Sequence, residues 1–590
     1  MTVNSSQASL ETAHNLNVLG NHLRISDTID TTSPDLYRFI LSGHSSFKLD
    51  QDDLSGNADV KLIQDKNRNF EIEEGEVVNV LQIDGVSREL INTTLEAGEY
   101  YLQIYPGIDS EVEYTLMLSV TSASDSAVSV IPTTANTPLN PNSVTNSQPT
   151  PTSPLPQTSS NGTYTLSGDL RANTFTYQPG YRRTVFLGNG NVDYGTGKRD
   201  LMDLSNINFS TVTFNYADTK NGGVLYSLGG NNSTQLFDAI KLSDNSEILF
   251  TGIETIQFKD KTVDLSVVPN DPLFKNQSNL HMMGVHNAWR FTQGSDNVVI
   301  GIEDTGLAID AGGKVHPDMR STIYFGNNYI DELTVPQDRA HGTEVQGVIA
   351  AASNNGIGMS GINWSSPVIH VDVMGTNDLG DYSLVDATQA IINQAKGKKV
   401  VINLSLTAAS TPEFETLVSQ NKDNVLFVIA SGNSGQSSVE APANLAQTHK
   451  NVMAVGASWT SKDYYGNLKE PGQRITYGNW WSSSYGAGLT LMAPSEIIST
   501  NVSNLKSSSQ FKFDYEQYFN GTSASVPNVT GIASLVWSVN NNLTAGDIKN
   551  ILSDTAYSLS HLGSTIEYGS GLVNADAAVR RAIALARGAA

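Results

Sequence analysis

The sequence predicts a multidomain chain, with a C-terminal α/β domain built on a mainly parallel sheet and two mainly-β domains before it. Three observations predict this. Residues 269–590 mix short apolar runs, such as Val298-Val299-Ile300-Gly301-Ile302 and Val425 to Ile429, with stretches whose apolar residues recur at helical spacing. That is the pattern of buried parallel strands joined by helices. Residues 1–120 and 161–268 carry short alternating strands separated by turn residues instead. Between them, residues 121–160 are rich in Ser, Thr, Pro and Asn, a composition that cannot bury a core and reads as an extended, protease-accessible linker.

In residues 1–120 the strands include Leu36 to Leu41, Asp59 to Ile63 and Tyr100 to Tyr105, as in a β-sandwich. Asp27-Thr28-Ile29-Asp30 and Gly98-Glu99-Tyr100-Tyr101-Leu102-Gln103 resemble the pre-peptidase C-terminal (PPC) domain of secreted bacterial proteases. In residues 161–268, Gly188-Asn189-Gly190-Asn191-Val192-Asp193-Tyr194-Gly195 followed by Arg199-Asp200 distantly resembles the Gly/Asp calcium repeats of RTX exoproteins. Ile253 to Phe258 resembles the segment that closes such regions. A single degenerate repeat reads equally as a plain turn. This unit could also be an inhibitory or folding-assisting proregion, although it lacks a helix-rich pattern.

The chain of 590 residues holds 59 acidic and 35 basic residues, a net charge of −24. That balance argues against nucleic acid or an anionic membrane as partner and favours cations. There are no cysteines, which removes disulfides and thiolate metal sites. No run of about twenty apolar residues occurs, so no transmembrane helix is expected. The first residues lack the charged-then-apolar pattern of a signal peptide. The expectation is an extracellular protein exported without a leader, the alternative being a cytoplasmic one.

Three islands in the C-terminal domain carry chemistry: Asp304-Thr305-Gly306, His341-Gly342-Thr343 and Gly521-Thr522-Ser523-Ala524-Ser525. They supply a carboxylate to fix an imidazole, an imidazole to take a proton and a hydroxyl to become nucleophilic. The order Asp, His, Ser is one of those in which unrelated folds assemble such a triad. Asp-Thr-Gly also marks enzymes that pair two carboxylates, but no second Asp-Thr/Ser-Gly occurs. Asp304 ends a predicted buried strand. His341 opens a helical pattern through Val345, Val348, Ile349 and Ala352. Ser523 opens another through Val529, Ile532, Ala533, Val536 and Trp537, with Pro527 expected in its first turn.

With His316-Pro317-Asp318, Val401 to Leu406, Ala430-Ser431-Gly432-Asn433, Met453 to Ala457 and Met492-Ala493-Pro494, these islands make residues 283–587 resemble a subtilisin-type serine protease domain. The resemblance implies a serine endopeptidase acting on protein or peptide substrates, with Asp304, His341 and Ser523 as triad. It implies Asn433 and the Ser523 amide as the oxyanion hole. Departures occur at Glu344, Thr407 and Val526, none of them a triad position. The rival reading is a catalytically silent binding protein that keeps the fold.

The resemblance further implies that extended substrate adds to the edges Asp378-Leu379-Gly380 and Ser405-Leu406-Thr407. Tyr382 would wall a distal subsite, with Asp378 and Asp381 readable as a solvated loop as well. Glu440 would line the primary specificity pocket and favour Lys or Arg there, or else sit in an exposed loop. Calcium is the implied cofactor. Its ligands would be Asp271, Asp318 and Asn355 with the carbonyls of Ser353, Ile357 and Met359, unless the Asn/Gly-rich stretch is an ordinary loop. Contact between the upstream β domains and the C-terminal domain is also expected.

Overall fold

The computed structural model describes residues 162–590 apart from breaks at 229–233, 311, 327–339, 374–381, 478–479, 508–509 and 590, together with 155–158 and much of 10–122. The chain gathers into two compact units, Met1–Asn146 and Ser147–Ala590.

In the first unit, one sheet runs in the order His14–Val18, Asp35–Leu41, Gly98–Pro106, Ala58–Ile63, Val77–Leu81. The other runs His22–Asp30, Glu111–Ser122, Ser45–Asp52, Glu89–Leu95. Val112, Tyr114, Leu116 and Leu118 occupy every second position of Glu111–Ser122, are buried, and share one core with Phe39, Leu62 and Leu102 of the other sheet. Period-two spacing turns one face of each strand inward.

The second unit opens with a short roll of three coils. Thr163–Ser167, Arg183–Leu187 and Glu247–Thr251 lie parallel in one sheet, and Thr174–Thr176, Leu201–Leu204 and Thr255–Phe258 lie parallel in another. Leu166, Phe186 and Phe250 occupy one rung of the first sheet, and Phe175, Met202 and Ile256 one rung of the second. All six fill the roll's interior. Between the second and third coils, Thr213–Asn215, Val224–Tyr226 and Gln235–Lys241 add antiparallel strands.

The rest of the unit is built on seven parallel strands in the order Thr322–Phe325, Val368–Asp372, Val298–Asp304, Lys399–Leu404, Val425–Ala430, Val452–Ser458, Leu489–Pro494. The chain starts in the middle and winds first one way and then the other, so the order reverses beside Val298–Asp304. All seven residues of this strand are buried. Val298, Ile300 and Ile302 face the helices His341–Ala350 and Thr522–Val539, while Val299 joins the core under Leu384–Ala395 and Pro412–Gln420. Gly301 shares that second face; a Cβ there would lie 2.8 Å from Ile391 Cγ2, so glycine lets the helix close on the sheet. The alternation sends Asp304 to one face and Glu303 to the other.

Candidate active site

Asp304 stands at the carboxyl end of the central strand, beside the strand-order reversal where open α/β sheets place their ligands. Its carboxylate is fully buried; Oδ1 accepts from the Thr305 amide at 2.8 Å and lies 2.6 Å from His341 Nδ1. His341 is the first residue of its helix. The next residue must be glycine: a Cβ on Gly342 would come within 2.1 Å of the Thr305 carbonyl oxygen. The Gly342 amide donates to Thr305 Oγ1 at 2.7 Å, pinning the helix start to the turn after Asp304. The Phe519 ring meets the imidazole edge-on at 5.5 Å.

Behind this pair lies His370, which the sequence reading did not single out. Its Nε2 lies 2.7 Å from the Thr305 carbonyl oxygen and its Nδ1 3.0 Å from Gln346 Oε1, tying the Asp304 turn to the His341 helix. Burial holds its pKa below the ordinary histidine value, which favours a neutral ring. A lone His in an apolar strand carries no signal of such a role.

Ser523 is the second residue of Thr522–Val539, not the first as expected. Gly521 precedes the helix at φ +78°, and Asn433 Oδ1 accepts from the Thr522 amide at 2.8 Å and from Thr522 Oγ1 at 2.9 Å, which draws the helix start back by one residue. Pro527 is therefore the sixth helical residue rather than part of the first turn, and its missing N–H deprives the Ser523 carbonyl of a helical donor. Ser405 Oγ takes that place at 2.9 Å, while Ser523 Oγ donates to the Ser405 carbonyl at 3.0 Å. Asn433 is exposed, with Oδ1 committed to Thr522; its Nδ2 lies 3.1 Å from where a Gly521 Cβ would stand.

Ser405 and Leu406 are buried and Thr407 is exposed beside them. Tyr382 is half-buried, its ring 6.3 Å edge-on from Phe325 and its amide bonded to the Asp372 carbonyl. Asp378, Leu379 and Gly380 lie outside the described residues. An open, mainly apolar cavity of about 420 Å³ lies at the starts of the helices Leu384–Ala395 and Pro412–Gln420, lined by Leu384, Val385, Ala408, Thr411 and Phe414 among others. The sequence reading missed these residues, because helix-start and loop positions form one wall only after folding. Glu440 is half-buried under Gly432; its Oε1 accepts from Ser434 Oγ at 2.5 Å and Ser484 Oγ at 2.8 Å.

Glu303, on the other face of the strand, is buried with one donor, Thr388 Oγ1 at 2.6 Å. Burial pushes its pKa up to about 8.

The loop 353–359 is held by two buried carboxylates. Asp271 accepts from the amides of Asn354 and Asn355 at 2.8 and 2.9 Å and from Ser360 Oγ. Asp318 accepts from the Met359 amide at 2.8 Å, Asn355 Nδ2 at 2.9 Å and Tyr515 OH at 3.1 Å. Neither has a Lys or Arg partner among the described residues, and burial, aided by the Asp271 charge, raises Asp318 to about 6. The two buried acids are hard oxygen ligands of the kind a calcium ion takes, but Asn355 turns Nδ2 to Asp318 while its Oδ1 accepts from the Ile357 amide at 2.8 Å, so a cation would need that side-chain amide to turn over. Among the described residues no group of three or more His, Asp or Glu side chains assembles for a metal, so any cation here would lean on carbonyl and amide oxygens.

A profile of the subtilase family matches residues 295–571. The chain is 37% identical over 275 residues to subtilisin BL and to subtilisin Savinase, both of Lederbergia lenta, alignments covering 46% of this chain and 89% of each relative. The chain belongs to the subtilase family. Alkaline elastase YaB of Bacillus sp. (strain YaB) is 35% identical over 286 residues, covering 48% of this subtilase and 66% of the relative. The subtilase is a subtilisin-like serine endopeptidase, a hydrolase. No helix among its described residues is long and apolar enough to cross a membrane.

Proposed function

We propose that Ser523, His341 and Asp304 carry out peptide-bond hydrolysis through an acyl-enzyme. Ser523 Oγ attacks the scissile carbonyl while His341 Nε2 takes its proton, and Asp304 holds the ring by Nδ1 and stabilises the imidazolium. The oxyanion of the tetrahedral intermediate accepts from Asn433 Nδ2 and the Ser523 amide. His341 then returns the proton to the departing amine, and water repeats the sequence on the ester. The observation that carries this reading is the 2.6 Å contact between His341 Nδ1 and a buried Asp304 oxygen. The test is labelling of the full chain by a fluorophosphonate, with Ser523→Ala as control. Labelling of wild type alone is expected; labelling of both proteins at equal rate overturns the assignment of Ser523.

Substrate in this reading lies extended between Asp378-Leu379-Gly380 and Ser405-Leu406-Thr407, with Tyr382 and the 420 Å³ cavity taking an apolar side chain upstream of the cleaved bond. Glu440 lines the primary pocket and favours Lys or Arg. Calcium would be held by Asp271, Asp318, Asn355 and the carbonyls of Ser353, Ile357 and Met359; when bound it braces the loop behind the His341 helix. The PPC-like and RTX-like segments fit a protease that works outside the cell.

A further inference from the structure

The Gly-rich run Gly188 to Gly195 makes an intimate backbone contact with the start of the peptidase region. A Cβ on Gly190 would come within 1.8 Å of the Met282 carbonyl oxygen, and one on Gly195 within 2.0 Å of the Lys275 carbonyl oxygen. Between these glycines the Asn191 amide donates to the His281 carbonyl at 3.0 Å. Tyr194 lies against the His281 and His286 rings at 4.4 and 4.5 Å and is buried in the same core as Val298, Ile300 and Trp537. Val192 and Leu170 enter the core on the other side of the sheet.

A second contact is ionic. Asp238, in the strand Gln235–Lys241, is fully buried between two arginines of the peptidase region. Arg290 reaches it with two nitrogens at 2.9 and 3.0 Å, and Arg580 with one at 2.7 Å. Arg580 also donates to the Leu236 carbonyl at 3.0 Å and to Asp576, and its side chain is 1% exposed. The Gly252 amide donates to the same Asp576 at 3.1 Å. Glu254, buried, lies 3.0 Å from Nε2 of the buried His286.

We infer that residues 162–268 are a permanent part of the mature peptidase, locked by Asp238 between Arg290 and Arg580, and not a pro-segment removed on activation. A segment built to leave presents a surface that water can replace. Removing this one would break a buried ion network, taking both carboxylate partners from Arg290 and leaving Arg580 with Asp576 alone, a larger loss than breaking one surface ion pair. It would also open the core around Tyr194 and Val192. The roll bonds to the arm Ser278–Ala288 and the helix Ala575–Ala586, and among the described residues none of its hydrogen bonds goes to Asp304, His341 or Ser523.

The experiment uses the full chain in two forms: wild type allowed to autolyse, and Ser523→Ala digested with thermolysin. Resistant species are separated by gel filtration and read by N-terminal sequencing and intact mass. The expected species begins before Tyr164 and keeps 164–268 with the peptidase region, still associated if nicked. A species beginning at or after Leu265, alone on the column and as active as the full chain, overturns the inference. In the full chain, Asp238→Asn keeps the shape and removes the charge. It is expected to inactivate at least tenfold faster on heating, while Asp218→Asn, at the more exposed partner of Arg290, changes the rate less than twofold. Equal rates for Asp238→Asn and wild type would remove Asp238 as the lock. Should Asp238→Asn not fold, the resistant-species measurement still decides.

Discussion

Ser405 and Ser523 exchange hydrogen bonds: Ser405 Oγ donates to the Ser523 carbonyl, and Ser523 Oγ donates to the Ser405 carbonyl, at 2.9 and 3.0 Å. The exchange exists because Pro527 cannot serve the Ser523 carbonyl from within the helix. Ser405 is fixed in turn by Asn403 Nδ2 at 2.9 Å, and Asn403 by Thr530 Oγ1 at 3.0 Å. The second bond must break for Ser523 to reach His341. The first persists and holds the backbone of the proposed nucleophile. Ser405→Ala is therefore expected to leave that carbonyl without a protein donor and to cost about 1–2 kcal/mol of stability. A melting curve checks the cost, and kcat should fall by roughly fivefold with KM nearly unchanged. A variant that melts with wild type would show that water serves the carbonyl equally well.

Asn433→Ala should lower kcat by roughly 10²–10³ with little change in KM, since in the proposed mechanism Nδ2 acts on charge that develops only in the transition state. Thr522 loses its acceptor in the same variant, so its stability should be measured beside the kinetics. A large change in KM with intact kcat would make Asn433 a substrate-positioning residue.

The central strand and the two helices behind it were legible because their burial leaves a plain pattern. Val298 to Ile302 is continuous and apolar, and Val345, Val348, Val529 and Ile532 recur at helical spacing. The start of the Ser523 helix was misread by one residue, because Asn433 sets it from 89 positions away. The three-coil roll was hidden for a related reason. Its second and third coils, ending at Leu204 and beginning at Glu247, are separated by an inserted antiparallel set, so no repeat period survives. Polar residues such as His370 and Gln346 gain meaning only from what they touch after folding.

Glu303 gives a pH dependence of definite sign. Its folded pKa, about 8, lies above the ordinary 4.5, so the folded chain keeps a proton that the unfolded chain gives up between those values. Its stabilising contribution is full below about 4.5 and is lost as pH rises through about 8, on the order of 4 kcal/mol in all. Glu303→Gln does not titrate. Its melting temperature should match wild type near pH 4.5 and exceed it increasingly up to pH 8–9. A constant difference across that range would mean that the carboxyl is ionised in the fold.

Calcium removal should lower the melting temperature and speed autolysis, because a ligand that binds only the folded chain stabilises it by mass action. Asp318→Ala, which removes an acceptor for Met359 and Asn355 as well, should abolish most of the response to added calcium. Identical wild-type melting curves in EGTA and in excess calcium would show that hydrogen bonds alone hold loop 353–359.

Glu440 is the sharpest test of specificity. Its Oε1 is committed to Ser434 and Ser484, leaving Oε2 without a donor among the described residues. A Lys or Arg side chain entering beside Gly432 would find a charge-assisted partner in a partly dehydrated pocket. Glu440→Gln keeps an acceptor for the two serine hydroxyls and removes the charge. Basic substrates should then lose about 1–3 kcal/mol of transition-state binding, while large apolar ones hold or improve. The measurement is kcat/KM on paired Arg and Phe peptides, since specificity is a ratio of those values. If the Arg-to-Phe ratio is unchanged while the melting temperature falls, the carboxylate serves only to tie Ser434 to Ser484, and the preference at the cleaved bond comes from elsewhere in the pocket.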